Sequence, residues 1–285
     1  GRQARAVQPD LVHAHGQVGY TVGAIRTGLP HVVTVHGILK IEKAADDDAQ
    51  LSAKARLRQS LWTRLEDWCL SHAQHIVVIS PYGKDQIAPR TSAKLHSIAN
   101  PIGEEFFAIE HVENPTPTVL TVGWLTDRKR HALLIEAVAL ARRDIPSLEL
   151  HIIGSTPPKE PGYEDELKQL AARLGVGDAV RFLGRVSTDD LLSEYASATL
   201  LAHAAVEESS PMALAQAMAA GLPIVAVDIP GVRHLVASGE TGILVEAPEP
   251  AAIAAALVAL LRNPPRLAAM GAAARAAATA RFTAE

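Results

Sequence analysis

Short runs of β-branched and aliphatic residues alternate along the whole chain with longer segments of helical periodicity. Strands separated by helices in this way become parallel neighbours, because each helix carries the chain back to the starting edge of the sheet. The runs that predict strands are Asp10–His15, His31–His36, Ile76–Ser80, Lys94–Ala99, Thr118–Val122, Leu148–Ile153, Ala179–Phe182, Ala198–His203 and Ile224–Val227. The chain is therefore predicted to be an α/β protein in which open parallel sheets carry helices on both faces.

The segments between these strands have apolar residues at helical spacing. They predict helices over Asp46–Ser71, His131–Arg143, Tyr163–Leu174, Thr188–Ala196, Met212–Ala220, Pro250–Leu261 and Pro265–Ala280. The segment Asn114–Pro117 interrupts the alternation, since two prolines so close together cannot continue a helix or a central strand. We predict a domain boundary here, with one domain over residues 1–114 and another over residues 115–285. Because the chain opens at Gly1 and runs almost directly into a strand, the first domain is expected to be incomplete and truncated at its N-terminus.

The composition excludes several classes of protein. Lys and Arg total 27 against 31 Asp and Glu, a net charge of −4, so nucleic acid is not an expected partner. Cys69 is the single cysteine, which excludes a disulfide framework and a cysteine zinc site, fits a reducing cytoplasm and predicts a buried structural thiol. The longest apolar run, Ala251–Leu261, is about half the ~20 residues that a membrane-spanning helix needs.

One segment carries most of the functional information. Between a predicted strand and the helix that follows it, the chain reads Glu207-Glu208-Ser209-Ser210-Pro211-Met212, with Gln216 further along the helix and Gly221-Leu222-Pro223 at its end. Backbone N–H groups at the start of such a helix can bind an anion. On the residues alone, an equally good interpretation makes Glu207 and Glu208 solvated loop charges and Gln216 a surface residue.

This segment resembles the Glu-x7-Glu signature of the retaining GT-B glycosyltransferases of family four. Glu208 matches the first glutamate and Gln216 stands at the second, while Ser209, Ser210, Pro211 and Met212 replace the family's Gly-Phe-Gly-Leu. The resemblance implies that Glu208 binds hydroxyls of a donor sugar and that Gln216 binds the ribose of its nucleotide. It also implies that the four residues after Glu208 line the same site. An amide at position 216 keeps an acceptor oxygen but loses the charge.

The start of the second domain carries another match. The stretch Val122-Gly123-Trp124-Leu125-Thr126-Asp127-Arg128-Lys129 resembles the family's Val-Gly-Arg-Leu-x-x-x-Lys. The resemblance implies that the backbone at Gly123 approaches the donor diphosphate and that Lys129 neutralises it. Trp124 replaces the usual arginine, and Arg128 is expected to compensate; a solvated turn is the alternative interpretation of Arg128.

Three further positions follow from the same resemblance. Gly154, Arg185 and Val186 lie at strand ends that the resemblance places around the nucleobase. The segment Pro230–Val245 also matches the family, and it is interpreted as structural.

The first domain contributes two strand ends, Asp10–Gly16 and Val33–Gly37, that resemble those of the family. The resemblance implies that His36 reaches the donor sugar in a hydrogen-bonding role, with His15 nearby. His13 and His15 point the same way from one strand, which makes a metal site an alternative. No carboxylate or third histidine joins them at ligand spacing, so we expect no metal and a buried, hydrogen-bonded His13.

The segment Lys54–Leu65 is basic and amphipathic. It is interpreted as a helix that packs its Leu and Trp face on a sheet and leaves its Arg face in water. Peripheral contact with anionic lipid is the alternative.

The resemblance as a whole implies two Rossmann-like, doubly wound domains that face each other across a cleft. It implies a hexosyltransferase-like enzyme that moves a sugar, with retention of configuration, from a UDP- or GDP-linked donor to an acceptor hydroxyl. The acceptor is a saccharide, a lipid-linked sugar or a small molecule, in bacterial polysaccharide or glycolipid synthesis. The expected location is cytoplasmic, including the inner face of the membrane. Catalysis falls to His36, Glu208 and Lys129 without a metal or other cofactor.

Two alternatives remain open. A non-catalytic sugar-nucleotide-binding module is favoured by Trp124 and Gln216, and a GT-B nucleotide-sugar epimerase would use the same donor. A dinucleotide oxidoreductase needs a Gly-x-Gly-x-x-Gly turn after its first strand, which this chain lacks. We expect the truncated chain to bind nucleotide in its second domain but to turn over slowly or not at all.

Overall fold

The computed structural model describes residues 6–16, 18–44, 52–158 and 162–283. Contacts divide the chain into two compact units, of which the first contains Gly1–Asn100 and Glu207–Ser210 and the second contains Pro101–Val206 and Pro211–Glu285. Each unit is built on its own parallel sheet. The predicted linker at Asn114–Pro117 stays a prediction.

The first unit contains a four-stranded parallel sheet. Its strands, in spatial order, are β1 (Val12–His15), β2 (His31–Val35), β3 (His75–Val78) and β4 (Lys94–Ser97). Its helices are α1 (Gly19–Ile25), α2 (Leu39–Ala44), α3 (Ala53–His72) and α4 (Pro81–Ile87), and a 3-10 turn spans Ala88–Arg90. Each strand pairs with the next strand in sequence, so every crossover steps in the same direction across the sheet.

This strand order puts the connecting helices on one face of the first sheet, because crossovers between parallel strands are right-handed. On that face, Val33 and Val35 of β2 and Ile76 of β3 form a buried core with Leu70 of α3 and Ile87 of α4. Val32, Thr34 and Val77 lie on the other face, where Thr34 is buried and the two valines are half-buried. The remaining side chains of that face are polar and exposed or half-buried: His13, His15, His75, Lys94 and His96. We call these five residues the histidine face.

Serine side chains cap two helices of the first unit at their N-termini. Ser52 accepts a hydrogen bond from Ala55 N (3.3 Å) at the start of α3, and Ser80 accepts one from Gly83 N (3.0 Å) at the start of α4. The described part of the predicted helix over Asp46–Ser71 belongs to α3, and residues 45–51 lie outside the described residues. The strand predictions for β1 to β4 agree with the structure to within two residues at either end.

The second unit contains a six-stranded parallel sheet. Its strands are β5 (Thr118–Val122), β6 (Glu149–Ile153), β7 (Val180–Gly184), β8 (Leu200–His203), β9 (Ile224–Val227) and β10 (Gly242–Val245), in the spatial order β10-β9-β8-β5-β6-β7. Its helices are α5 (Glu104–Phe107), α6 (His131–Ala141), α7 (Tyr163–Arg173), α8 (Thr188–Ser197), α9 (Met212–Ala220), α10 (Pro230–Arg233), α11 (Pro250–Leu261) and α12 (Pro264–Phe282), and a 3-10 turn spans Asp127–Lys129.

The order of these six strands reverses its direction once. From β5 the chain steps outward to β6 and β7, then returns to the other side of β5 and steps outward through β8, β9 and β10. Right-handed crossovers therefore place helices on both faces. Accordingly, α6 packs against α7 and α11, whereas α9 packs against α8 and α12. Strands β8 and β9 are buried along their whole length between these layers.

Within the described ranges, no helix is both long and apolar enough to cross a membrane.

Candidate functional site

Three glycines line the carboxyl edge of the second sheet where β5, β6 and β7 end. Gly123 N donates a hydrogen bond to Ile153 O (2.9 Å), and Gly154 N donates one to Gly184 O (2.8 Å). Gly154 has φ +144°, and a Cβ there would collide with the carbonyl oxygen of Gly123. We call Gly123, Gly154 and Gly184 the glycine edge. Its backbone is bare of side chains, so a ligand can approach it closely.

Lys129 lies directly over this edge. Its Cε and Nζ are 3.5 and 3.7 Å from the point where a Cβ on Gly123 would lie. The preceding residue, Arg128, accepts a hydrogen bond through its carbonyl oxygen from Val206 N (3.0 Å), which ties the turn to the segment after β8. The side chain of Trp124 is 52% exposed. The arrangement brings a positive charge to open backbone at the carboxyl end of β5, which suits an anionic group.

His131 is a feature of this region that sequence reasoning missed. It starts α6 and its side chain is buried. Burial, followed by the charges of Lys129 and His203, lowers the pKa of His131 to about 3, so the ring is neutral at pH 7. Within the part of the chain that the structure describes, its Nδ1 has no hydrogen-bond partner. A neutral ring adds no positive charge beside Lys129. The helical spacing of His131 from the buried Leu134 and Val138 was a signal that could have indicated its burial.

The start of α9 offers a second set of donors. Pro211 occupies the capping position, where its side chain makes no capping hydrogen bond, and Met212 at the first helical position is exposed. The first N–H groups of a helix have no partner within the helix, and the helix dipole favours an anion there. Glu208, Ser209 and Ser210, which precede this helix, are half-buried and belong to the first unit.

The other residues predicted to bind the nucleotide lie on the second unit. Arg185, exposed, and Val186, half-buried, follow β7 directly. Gln216 is half-buried on α9, where its Oε1 accepts a hydrogen bond from the hydroxyl of Tyr195 (3.2 Å). Sequence reasoning did not single out Tyr195.

The predicted catalytic His36 follows β2 in the first unit and belongs to a histidine cluster. His15 Nδ1 and His36 Nε2 are 3.0 Å apart, and His13 Nε2 is 2.8 Å from Thr34 Oγ1. Burial, then the neighbouring His15 and His13, lowers the pKa of His36 below its ordinary value. A neutral imidazole suits a hydrogen-bonding role. His13 is hydrogen-bonded as predicted, but it is exposed rather than buried, because it lies on the histidine face.

The metal site considered as an alternative involved His13 and His15 of the same cluster. Over the described residues, no group of three or more His, Cys, Asp or Glu side chains could hold a metal ion.

Glu207 is not a solvated loop charge. Its side chain is buried in the first unit, where the hydroxyl of Tyr82 donates a hydrogen bond to the carboxylate. Burial, then the charge and hydrogen bond of Glu207, raises the pKa of Tyr82 to about 12. The pair anchors the residue next to Glu208 in the sequence.

The expected packing of the segment Lys54–Leu65 was wrong. In α3 the side chains of Leu57, Leu61, Trp62 and Leu65 are 63%, 56%, 42% and 36% exposed. Only the C-terminal half of the helix reaches the core, through Cys69 and Leu70. Burial, then the charge of Glu66, raises the pKa of Cys69 to about 11, in keeping with the predicted structural thiol.

The sequence was compared with known families and curated proteins. Residues 103–277 match the family model described as Glycosyl transferases group 1, and residues 1–106 match the model described as Glycosyltransferase Family 4. The D-inositol 3-phosphate glycosyltransferase of Streptomyces scabiei is 30% identical over 286 residues, covering 94% of this chain and 63% of that protein. The protein of the same name from Frankia alni is 33% identical over 274 residues, covering 90% and 66%. The chain thus spans slightly less than two thirds of these relatives.

Solved structures show the same fold. Sucrose-phosphate synthase from Thermosynechococcus elongatus superimposes with a TM-score of 0.82 at 21% identity, covering 99% of this chain and 72% of that one. Anabaena HepE, in complex with UDP and glucose, superimposes with a TM-score of 0.77 at 22% identity, covering 98% and 77%. These similarities show the GT-B fold predicted from the sequence. With the family model matching more than half of its length, the chain belongs to the glycosyltransferases of group 1, as its Glu208–Gln216 segment and its Gly123–Lys129 turn predicted.

Proposed function

We propose that this chain carries the donor-binding machinery of a retaining, metal-independent glycosyltransferase that takes its sugar from a UDP- or GDP-linked donor. The observation that carries the proposal is the ammonium of Lys129 over the glycine edge. The start of α9, at Pro211, belongs to the same unit and adds backbone donors. Both features suit a diphosphate, since its oxygens accept hydrogen bonds and carry negative charge.

The relatives support a donor of this kind. The curated relatives are named glycosyltransferases, and the Anabaena HepE structures hold UDP and UDP-glucose. The chain spans only part of the length of these relatives. Glycosyl transfer by the chain itself is therefore part of the proposal.

The chemistry would be electrostatic and positional. Negative charge builds on the departing diphosphate as its bond to the anomeric carbon breaks. Lys129, with Arg128 beside it, and the start of α9 would stabilise that charge in place of a divalent cation. We assign contacts with the sugar to Glu208 and His36. The oxygen of the acceptor hydroxyl would bond to the anomeric carbon on the face that the diphosphate leaves, and the departing phosphate would take the hydroxyl's proton. Sugar configuration is then retained without a protein nucleophile.

The test is a calorimetric titration of the chain with UDP, GDP and ADP, and then with their common sugar conjugates. One nucleotide should bind saturably, and Lys129→Ala should weaken it by about ten-fold or more, as expected for loss of a charge-assisted contact. The matched control is Lys168→Ala, whose side chain pairs with Glu164 on α7 (2.7 Å). Glu208→Ala should remove the additional affinity that the sugar gives the conjugate, and it should leave the affinity for the free nucleotide unchanged. Absence of nucleotide binding by a folded sample would contradict the proposal.

A non-catalytic binding module is the second candidate. The observation in its favour is Gln216, a neutral side chain where the family has glutamate. Saturable binding of a donor without release of nucleotide, in the presence of saccharide and lipid-linked acceptors, would favour the module over the enzyme.

Peripheral membrane contact belongs to the same proposal. The exposed side chains of Leu57, Leu61 and Trp62 lie among basic residues of α3, a combination that suits an anionic lipid surface. Leu61→Glu should reduce cosedimentation with phosphatidylserine vesicles, whereas Leu174→Glu, at an exposed leucine of the second unit, should not. Equal sedimentation of both variants would contradict this contact.

A further inference from the structure

Tyr195 is held by the core of the second unit rather than by any ligand. Its side chain is fully buried on α8, and its ring meets the ring of Phe106 edge-on, with centroids 5.5 Å apart and an interplanar angle of 87°. Burial raises the pKa of Tyr195, so its hydroxyl keeps its proton and acts as a donor. The packing of the buried ring therefore fixes the position of the Tyr195 hydroxyl.

The hydroxyl points at two acceptors on the neighbouring helix α9. The carbonyl oxygen of Ala213 and the Oε1 of Gln216 both lie 3.2 Å from it. These two residues are three apart on a helix, so they face the same side. A hydroxyl has one proton, which the two acceptors share.

In this structure the Oε1 end of the Gln216 amide faces Tyr195. With Oε1 facing Tyr195, the two N–H groups of Nε2 are left for whatever lies outside, and the residue is half-buried. A glutamate at this position would have acceptor oxygens only. In this orientation Gln216 offers donors where a glutamate would offer only acceptors.

We propose that Tyr195 is a positioning residue, which orients Gln216 so that its amide donates hydrogen bonds to an oxygen of the nucleotide's ribose. The inference rests on the proposed function, because it assumes that α9 faces the nucleotide. Tyr195 itself touches no ligand. It acts by holding one rotamer of Gln216, and the ribose oxygen acts as an acceptor.

A double-mutant cycle on UDP affinity tests the coupling. Tyr195→Phe keeps the buried ring and removes only the hydroxyl, and it should weaken UDP binding about three- to ten-fold, as for one lost hydrogen bond. In a Gln216→Ala background the same substitution should have no further effect. Inorganic diphosphate, which needs only the glycine edge and Lys129, should bind all four proteins equally.

Two results would overturn the inference while leaving the donor site intact. One is an equal loss of UDP affinity from Tyr195→Phe with and without Gln216; the other is a parallel loss of diphosphate affinity, which indicates a general structural role. If the titration shows that the chain binds GDP or ADP instead of UDP, the same cycle is run with that nucleotide; absence of binding by all three to the unmutated chain would refute the proposed function, and the inference with it.

A second measurement covers the case in which Tyr195→Phe does not fold. The side-chain amide ¹⁵N–¹H signals of Gln216, assigned by their disappearance in Gln216→Ala, should shift on addition of UDP and exchange more slowly with solvent. Signals that neither shift nor gain protection at saturating UDP would show that the amide does not donate to the nucleotide.

Discussion

The two sheets are built from the same strand–helix repeat, yet their strands are ordered differently. In the first unit the four strands follow one another across the sheet, whereas in the second the order turns back at β5. Because crossovers are right-handed in both, the first sheet receives its helices on one face and the second on two. The same local rule thus leaves the histidine face exposed in one unit and buries β8 and β9 completely in the other.

The reversal also explains where the candidate site forms in the second unit. At the reversal point, the chain leaves β5 and β8 in opposite directions, which opens a crevice at the carboxyl ends of neighbouring strands. Gly123 and Lys129 follow β5, and the backbone bond from Val206 to Arg128 spans the segments that leave the two strands. Among the described strands of the first unit there is no such reversal.

The largest effect is expected where the second sheet has no space to adjust. Gly154→Ala should destabilise the second unit by about 4 kcal/mol or more, because its Cβ would meet the backbone of Gly123. Gly175→Ala is the control: it has φ +70° but open space around it, and should cost about 1–2 kcal/mol. Urea unfolding followed by hydrogen exchange measures both. Equal costs would show that the glycine edge is not close-packed.

Core truncations test whether the units are stabilised separately. Ile76→Ala in the first unit and Leu150→Ala in the second remove fully buried side chains, and each should cost about 3 kcal/mol. Hydrogen exchange resolved by peptide should show lost protection only in the unit that carries the substitution. Loss across both units from either variant would mean that they unfold as one.

Acid should affect the second unit through its buried histidines. The pKa of His131 is 6.5 in the unfolded chain, whereas in the folded unit it is lowered to about 3. The contribution of neutral His131 to stability is therefore fully present above about pH 6.5, and the free energy of unfolding falls by about 1.4 kcal/mol for each pH unit below it. The pKa of His234, which is lowered to about 4, acts in the same direction.

A substitution isolates the contribution of His131. His131→Met should flatten the decline of the second unit's stability between pH 6.5 and 4, and His72→Met, at an exposed position of α3, should leave it unchanged. A slope that is identical in all three proteins would assign the acid sensitivity to other groups.

The smallest effect is expected on the histidine face. His75 is exposed, and its Nδ1 lies 3.0 Å from Nε2 of His96, so His75→Ala should change the free energy of unfolding by less than about 0.5 kcal/mol. Its neighbour Ile76 points to the opposite, covered face, which makes the pair a direct comparison of the two faces. A loss of 2 kcal/mol or more at His75 would show that this face is covered in solution.

Most elements of the second unit were predictable because their signals are local. The spacing of apolar residues and the glycines at helix ends located β5, α9, β9 and α11 to the residue. The short helices α1 and α4 were missed, since each spans only seven residues and contains glycine. The pair Ser80–Pro81 carried a usable signal, because serine caps α4 and proline starts it.

The residues of the candidate site also divide into those that the sequence indicated and those that it did not. The Glu208–Gln216 segment and the Gly123–Lys129 turn were recognisable because they resemble motifs of the family. Tyr82 and Tyr195 were not, since each matters through a contact with a residue that is distant in the sequence. His131 was missed although it shares the apolar face of α6 with Leu134 and Val138. The exposure of Leu57 and Leu61 was missed because helical periodicity shows an apolar face without showing what covers it.

The sequence by itself determined the α/β class, the positions of most strands and helices, the family and the residue types at the strand ends. These depend on side-chain periodicity and on backbone preferences, which act over a few residues. Only the tertiary structure decided the order of the strands, and with it the side on which each helix lies, the depth at which His131 is buried and the direction in which the Gln216 amide points. Strand order is a matter of which edges pair at long range, and no local spacing records it.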